Sequence, residues 1–180
     1  MSFKKGVFIG LSVISVFIFF IFWLQMKQQV IKPPVPEPDI GKADVTLKNM
    51  ELSETSEGDL DWRLKAEEAE LYEKQGIANL TKVVLSYSGE EGQEIVLTGN
   101  RGKIDLSEKN VFLEGNVKAF SNQVYLKTKT LSWFRKKRIV LTEDPVWLKQ
   151  NNIQITGRGM SADINLRKIK VNKDVTTSIY

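Results

Sequence analysis

The stretch of sequence that decides the fold is residues 97–117, LTGNRGKIDLSEKNVFLEGNV. Apolar and polar residues alternate on both sides of the polar segment SEKN, a pattern typical of two β-strands joined by a tight turn. The arrangement returns 58 residues later in residues 155–175, ITGRGMSADINLRKIKVNKDV. Because a hairpin of this size cannot bury its apolar face alone, the repeat predicts strands that stack on one another.

Weaker copies extend this repeat along the chain, one beginning at Leu126 and a looser one at Leu64. The same two-residue period recurs in apolar pairs separated by turn signals: Leu60 with Trp62, Val83 with Leu85, Ile95 with Leu97, Val111 with Leu113, Val124 with Leu126, Leu131 with Trp133, Val146 with Leu148 and Ile169 with Val171. The pattern predicts an all-β domain over residues 44–180, either as two layers of antiparallel strands or as a twisted roll open at both ends. Segment 67–73 has helical propensity but is too short for us to predict a helix there.

The amino-terminal part of the chain predicts a membrane anchor. Residues 7–24 are apolar except for one glycine and two serines, and a helix over residues 6–26 would span about 30 Å, the thickness of a bilayer's hydrocarbon core. A cleaved signal peptide has a shorter apolar region and ends in a small-x-small site, which the following QMKQQ lacks. We therefore predict an uncleaved transmembrane helix over residues 6–26, preceded by a cytoplasmic tail over residues 1–5.

Residues 27–43 form a predicted linker that contains four of the five prolines of the chain. Proline fixes φ and removes a hydrogen-bond donor, so the linker is either an extended polyproline-like spacer or a disordered tether. The flanking charges lean only weakly towards a cytoplasmic amino terminus, because Lys4 and Lys5 are balanced by Lys27 and Lys32 on the other side.

The composition excludes several classes of function. The chain has no cysteine and no histidine, so it has no disulfide, no thiolate nucleophile and no imidazole metal ligand. Five of its 26 basic residues precede Asp44, and the part from Asp44 onward is nearly neutral, with 21 basic and 20 acidic residues. Nucleic-acid binding needs a clustered basic face, so we predict no nucleic-acid partner.

The charged side chains offer little for catalysis. Asp105 and Asp163 occupy equivalent positions of the repeat and could form an acid pair, but residues at repeated strand ends more often cap a turn. The one basic cluster, residues 135–138, falls where the repeat has its turn, which favours an exposed charged turn over an anion-binding site. We predict no enzymatic activity, no metal and no cofactor.

The last repeat ends at Tyr180 without a proline or a predicted helix to cover its final strand. The unpaired backbone groups of such an edge invite a partner to add a strand. We therefore expect another β-domain to dock there.

The order of anchor, spacer and repeats resembles the LptC family, the bitopic subunits of the lipopolysaccharide transport machinery of Gram-negative bacteria. The resemblance covers nearly the whole chain. It rests on residues 50–72, MELSETSEGDLDWRLKAEEAELY, on residues 97–117 as quoted above, and on residues 155–163, ITGRGMSAD. LptA and the amino-terminal domain of LptD share the repeat, but the retained helix favours the LptC family.

The resemblance implies a twisted, open β-jellyroll in the periplasm and a helix in the inner membrane. The amino-terminal edge would continue the β-jellyroll of LptF, and the carboxyl-terminal edge would accept LptA. The helix would contact LptF and LptG and could modulate the LptB ATPase. Lipopolysaccharide acyl chains would pass through the apolar interior while the sugars stay in water.

The candidate lipid-binding residues are the large apolar residues predicted to alternate towards the interior: Leu60, Trp62, Leu64, Leu71, Leu85, Leu97, Ile104, Leu113, Trp133 and Ile155. The candidate partner edges contain Val45, Leu47, Met50 and Leu52 at one end and Ile153, Ile155, Met160, Ile169 and Val171 at the other. Each interior residue is also consistent with plain core packing, which a closed and filled roll would favour. A one-residue slip in register would invert the faces.

Two further hypotheses stay open. A membrane-tethered adaptor with a solid β-domain would act only by protein docking, and a cavity-free interior would favour it. An anchored hydrolase would need a carboxylate pair or a Ser–Lys pair in a cleft, and nothing in the sequence requires one.

Overall fold

The computed structural model describes residues 41–56, 59–88, 94–121, 124–163 and 168–180. These residues form nine strands: β1 (Val45–Ser56), β2 (Asp59–Tyr72), β3 (Ile77–Ser88), β4 (Glu94–Asp105), β5 (Val111–Phe120), β6 (Val124–Phe134), β7 (Ile139–Gln150), β8 (Ile153–Asp163) and β9 (Lys168–Ile179). The predicted tail over residues 1–5, the helix over residues 6–26 and most of the linker lie outside the described residues. Among those described, no helix combines the length and hydropathy needed to cross a bilayer.

The nine strands form one open sheet in which each strand pairs antiparallel with the next along the chain. This confirms the predicted all-β architecture and gives a single open, jellyroll-like sheet instead of two separate layers. Within the described residues, β1 and β9 are each paired on one side only. Segment 67–73 continues β2 as far as Tyr72, and a 3-10 turn, Glu73–Gln75, follows it.

A kink near the middle of each odd-numbered strand bends the sheet. Asn49, Lys82, Asn116 and Asp174 have φ angles of 51° or 52°, a left-handed conformation that is rare within strands and marks bulges. In β7 the equivalent repeat position is Pro145, where the register with β8 shifts, and proline inside a sheet is confined to edges, strand starts and bulges. Register shifts also interrupt the pairing of β4 with β5, β5 with β6, β6 with β7 and β8 with β9. The bend therefore runs across the whole sheet.

The bend divides the sheet into two arms that face each other. Along β2 every second residue is buried at Trp62, Leu64 and Ala66. The next buried residue is Ala69, three positions further on, so the alternation shifts by one residue at the bend. Arm A, on the side of Trp62, contains residues 59–66, 83–88, 94–99, 117–120, 124–128, 145–150, 153–157 and 175–179. Arm B, on the side of Ala69, contains residues 67–72, 77–81, 101–105, 111–114, 130–134, 139–142, 159–163 and 168–173. The ring of Trp62 in arm A contacts the ring of Trp133 in arm B, so the core lies between the arms.

Close packing of β8 against β9 requires glycine at position 157. A Cβ atom there would lie 2.5 Å from Val171 Cγ1 and 2.8 Å from the Lys173 carbonyl oxygen. Gly99, at the equivalent position of the repeat, would meet its nearest atom, Leu113 Cβ, at 3.2 Å. The Thr-Gly dipeptide of the repeat thus marks a close approach of neighbouring strands.

Candidate functional site

Between β2 and β6 the space between the arms is filled by large side chains. Trp62 and Trp133 are 1% and 2% exposed, and their ring centroids lie 5.7 Å apart in an edge-to-face arrangement. Tyr87 adds a third ring, with its centroid 6.4 Å from that of Trp133. The other members of this filled region are buried aliphatic residues: Leu64, Leu80, Val83, Leu85, Ile104, Val111, Leu113 and Leu131.

Between β4 and β9 the arms leave an open cleft of about 430 Å³. Its lining comes from both arms and is mainly aliphatic: Ile95, Leu97, Ala119, Phe120, Ser121, Val124, Leu126, Leu148, Gln150, Ile155 and Val175 on the arm A side, and Val140, Met160, Ala162, Asp163, Ile169 and Val171 on the arm B side. Ligand sites commonly have volumes of roughly 300–1,000 Å³ and mostly apolar linings. The cleft therefore has the size and chemistry to hold an apolar chain.

One repeat position explains why the cleft opens where it does. Ile104 in β4, Trp133 in β6 and Ala162 in β8 are spaced 29 residues apart, and the strand register aligns them in arm B. Ile104 and Trp133 are almost completely buried and fill the space in front of them. Ala162 offers only a methyl group, so the space in front of β8 stays open as part of the cleft.

The ten predicted lipid-contacting residues are divided between these two regions. Six lie in the filled region: Trp62, Leu64, Leu85, Ile104, Leu113 and Trp133. Leu97 and Ile155 line the cleft. Leu71 is half-buried against the core, and the side chain of Leu60 is not among those described.

Several cleft residues were not among the sequence-derived candidates: Val124, Leu126, Val140, Leu148 and Ala162. Their two-residue alternation is visible in the sequence, but it marks only the inner face and not the presence of space. One signal in the sequence could have located the open space. At equivalent positions of the repeat, the large side chains of Ile104 and Trp133 are followed by the small side chain of Ala162.

The predicted amino-terminal edge residues belong to β1, which is an edge strand in the described part of the chain. Val45 and Leu47 are 38% and 41% exposed, whereas Met50 and Leu52 are half-buried against the core. Through the pairing of β1 with β2, the exposed pair lies beside residues 69–71 of arm B and the half-buried pair beside residues 64–66 of arm A. Only Val45 and Leu47 are therefore free to contact a partner through their side chains.

The predicted carboxyl-terminal edge residues fall on two strands. Ile169 and Val171 lie on the edge strand β9, whereas Ile153, Ile155 and Met160 lie on β8, which pairs with both β7 and β9. The last three residues therefore do not form the free edge. Three further residues at this edge, Val175, Ile179 and Tyr180, are 52%, 72% and 80% exposed and were not among the candidate residues.

Of the two repeat-related aspartates, Asp105 caps a turn, which is the role that the sequence favoured over an acid pair. The backbone N–H groups of Ser107 and Glu108 donate to Asp105 Oδ1, both at 2.8 Å, and the Ser107 hydroxyl donates to the same atom at 2.7 Å. These hydrogen bonds, led by that of Glu108, lower the pKa of the Asp105 carboxyl from its ordinary value. Asp105 is thus a turn cap, whereas Asp163 lies at the cleft.

The basic cluster at residues 135–138 is the turn between β6 and β7, as predicted. Arg135 Nη2 pairs with Glu54 of β1, and Lys136 Nζ lies 2.9 Å from Glu108 Oε2. These two basic residues tie strand ends together and are not free for an anionic ligand. In the described ranges, no group of three or more carboxylates is placed to hold a metal ion.

Comparison with known proteins gives one family and one type of fold. The family model described as "Lipopolysaccharide-assembly, LptC-related" matches residues 11–180, and no curated protein matches the chain. Among solved structures, the chain is similar to LptH of Pseudomonas aeruginosa, described as the LptA-homologous periplasmic component of the lipopolysaccharide transport device. The TM-score is 0.55 at 18% identity, over 66% of this chain and 94% of that one. At this identity the likeness shows the fold alone.

Proposed function

Because the chain belongs to the family of LptC-related lipopolysaccharide-assembly proteins, we propose that it receives lipopolysaccharide from an inner-membrane ABC transporter and passes it to a periplasmic LptA-like protein. The family and the LptA-like fold support its involvement in lipopolysaccharide transport. In this proposal the protein carries out no chemical step. It provides an apolar surface for the acyl chains and two sheet edges for its neighbours.

The cleft is the observation that carries the proposal. An acyl chain needs a continuous apolar surface without specific polar partners, and Leu126, Leu148 and Met160 contribute to one. Burial of each methylene group contributes about 0.8 kcal/mol, so even a short length of chain would gain from entering. The phosphates and sugars would stay in water, because burying them without partners costs several kcal/mol.

The two sheet edges support docking of neighbours in a head-to-tail order. Strand addition uses the unpaired N–H and C=O groups of an edge, which β1 and β9 each offer in the described part of the chain. We assign β1, with Val45 and Leu47 exposed, to the β-jellyroll of the transporter subunit LptF. We assign β9, with Val175 and Ile179 exposed, to LptA.

The proposed location is the bacterial inner membrane. Residues 6–26 would cross it once beside LptF and LptG, which work with the LptB ATPase, and residues 1–5 would lie in the cytoplasm. The linker, residues 27–43, would connect the helix to the β-domain, residues 44–180, in the periplasm.

Photo-crosslinking in cells tests lipid contact. The full chain carries p-benzoylphenylalanine in place of Leu148 in the cleft or, as the matched control, in place of Arg63 on the outer surface of β2. We expect a lipopolysaccharide adduct from the Leu148 position and none from the Arg63 position. Adducts at Arg63 alone, or at neither position in a folded and expressed chain, would refute lipid passage.

The filled region favours a second candidate function, a membrane-tethered adaptor that acts only by protein docking. Trp62, Trp133 and Tyr87 are buried and pack against one another between the two arms. Affinity purification from solubilised membranes would recover an ABC transporter with β-jellyroll subunits under either function. The Leu148 adduct separates them, because an adaptor would yield none.

A further inference from the structure

The strand ends that line the cleft have a distinctive outer surface. Ala119, Leu126 and Leu148 point into the cleft, and successive side chains of a strand point to opposite faces. The outward neighbours of these three residues in β5, β6 and β7 are Lys118, Phe120, Tyr125, Lys127, Trp147 and Lys149; Phe120, the last residue of β5, also borders the cleft. We term these six residues the outer platform.

The aromatic members of the outer platform form a continuous row across three strands. The ring centroids of Phe120 and Tyr125 are 4.9 Å apart, and those of Tyr125 and Trp147 are 5.7 Å apart. Lys127 Nζ lies 5.3 Å from the centroids of both Tyr125 and Trp147, a geometry in which the ring quadrupole attracts the ammonium. An ammonium and aromatic rings are therefore presented together at the surface.

Within the part of the chain that the structure describes, no carboxylate forms an ion pair with a lysine of the outer platform. Lys118 stands directly opposite Lys127 in the β5–β6 register, an arrangement of like charges that destabilises a sheet. None of the ion pairs formed within the described residues includes Lys118, Lys127 or Lys149, whereas other lysines of the sheet, such as Lys65, pair with a glutamate. The uncompensated charge at this place fits an anionic ligand.

The strands on either side of the outer platform contribute neutral polar groups. Thr98 of β4 pairs with Lys118, and Gln154 and Thr156 of β8 pair with Lys149 and Trp147. Hydroxyl and amide groups of this kind donate and accept hydrogen bonds without repelling an anion. The neighbourhood therefore suits a ligand that carries both hydroxyl groups and negative charge.

We infer that the outer platform binds a phosphorylated saccharide. The aromatic row packs against the apolar face of sugar rings, the three lysines pair with phosphate oxygens, and the flanking hydroxyl and amide groups bind sugar hydroxyls. The physiological identity of the ligand rests on the proposed function, since the head group of an amphiphile whose chain occupies the cleft would lie at these same strand ends. One sheet would thus hold the two chemically different parts of one lipid on its two faces.

A bilayer surface fits the outer platform less well. Of its three rings only that of Phe120 is exposed, at 40%, because Tyr125 and Trp147 are half-buried against each other. The outer platform therefore offers a single apolar side chain for insertion among lipids. The flank formed by β8 and β9 presents Thr156, Thr176 and Ser178, whereas membrane insertion needs exposed apolar side chains.

Saturation-transfer NMR tests the inference on the full chain in phosphatidylcholine nanodiscs. The probe is glucosamine 6-phosphate, with glucosamine and inorganic phosphate as comparison ligands. We expect saturation transfer to the sugar-ring protons. Combining Lys118→Gln, Lys127→Gln and Lys149→Gln lowers the affinity about tenfold, because three exposed charge pairs are lost. The control combines Lys48→Gln, Lys74→Gln and Lys170→Gln, removes the same charge from exposed lysines elsewhere, and leaves the affinity unchanged.

Three outcomes would overturn the inference. Equal affinities of the two triple variants would exclude a role for the platform lysines. Inorganic phosphate binding as tightly as the phosphosugar would reduce the site to a simple anion site. Lysine-dependent binding to phosphatidylglycerol vesicles without saturation transfer to the sugar would assign the surface to membranes. The Leu148 adduct is scored separately, in the chain that carries p-benzoylphenylalanine at position 148 and no lysine substitution. Its absence means failure of the proposed function, and its presence without phosphosugar binding means failure of the outer platform alone.

Discussion

The filled region and the cleft are built from the same repeat and lie between the same two arms, yet they differ in what occupies the space. In the filled region Trp62, Trp133 and Tyr87 meet across the gap. In the cleft the equivalent of Trp133 is Ala162, and about 430 Å³ is open. Repeats with the same strand arrangement can therefore differ in function. The size of one side chain determines whether the space in front of a repeat is packed core or an open binding site.

The difference in packing between the filled region and the cleft also gives the two regions different roles in stability and in binding. Close packing of large apolar side chains contributes most of the favourable free energy of folding, and this packing is concentrated between β2 and β6. A region with spare volume gives up part of that contribution. We expect the filled region to hold the fold while the cleft remains available for a ligand.

The largest expected effect comes from the same substitution made in both regions. Leu64 and Leu148 are 0% and 2% exposed, but Leu64 is surrounded by packed side chains and Leu148 borders the cleft. Leu64→Ala should lower the free energy of unfolding by about 4 kcal/mol, and Leu148→Ala by about 2 kcal/mol, because Leu148 borders the open volume of the cleft. Urea denaturation of the two purified full-length variants measures both values. Equal losses would show that the cleft is packed as tightly as the filled region.

The second-largest expected effect comes from a substitution at the close contact between β8 and β9, beside the cleft. Gly157→Ala should lower the unfolding free energy by about 1–3 kcal/mol, because the new Cβ would overlap Val171 and the Lys173 carbonyl oxygen. Gly99→Ala, at the equivalent repeat position, has more room and should cost less. Thermal unfolding of both variants provides the measurement. A larger loss for Gly99→Ala would contradict the close contact between β8 and β9.

A pH-dependent effect is expected at the turn between β4 and β5. Asp105→Ala removes three hydrogen bonds to the carboxylate and should cost about 1 kcal/mol at neutral pH, as for other lost caps. Because folding lowers the pKa of Asp105, its contribution is complete above the unfolded value of about 3.9 and is lost as the pH falls through the folded value. Unfolding measured from neutral to acidic pH should show wild type and variant converging. A constant difference over that range would contradict the carboxylate's role.

The smallest effect concerns the ion pair that joins β1 to the end of the filled region. Arg135 is paired with Glu54, and both side chains are partly exposed. A double-mutant cycle with Glu54→Gln and Arg135→Gln should give a coupling energy of about 0.5–1 kcal/mol. The coupling should shrink at high salt, because exposed charges are screened. A salt-independent coupling would indicate a contact other than this ion pair.

The sequence predicted the all-β fold of repeated antiparallel strands better than it predicted the site. Alternation and the 29-residue and 58-residue repeats indicate strands, turns and stacking, since these depend on local patterns. Trp62, Leu97 and Trp133 are buried, and their contact with lipid stays a prediction. The bend at Asn49 and Asp174 was not predicted, because left-handed residues within strands have no strong sequence signature.

The cleft could not be predicted from alternation, because free volume depends on which side chains meet across the two arms. The ring of Trp133 contacts those of Trp62 and Tyr87. These contacts depend on how the sheet bends, which the alternation of residues does not indicate. The edge assignments failed for Ile153 and Met160 for a related reason. The pattern located strands near the end of the chain but did not determine whether β8 or β9 is the last one paired.

The most direct test of the claim that the cleft holds lipid is to fill it. Ala119 lines the cleft, and Ala119→Phe should occupy the open volume with little loss of stability, because overpacking is costly only where space is absent. We predict near-normal thermal unfolding, loss of the lipopolysaccharide adduct at Leu148, and failure to support growth in cells depleted of the wild-type protein, whereas Ala119→Val supports growth. A stable Ala119→Phe protein that retains the adduct and supports growth would contradict the role of the cleft.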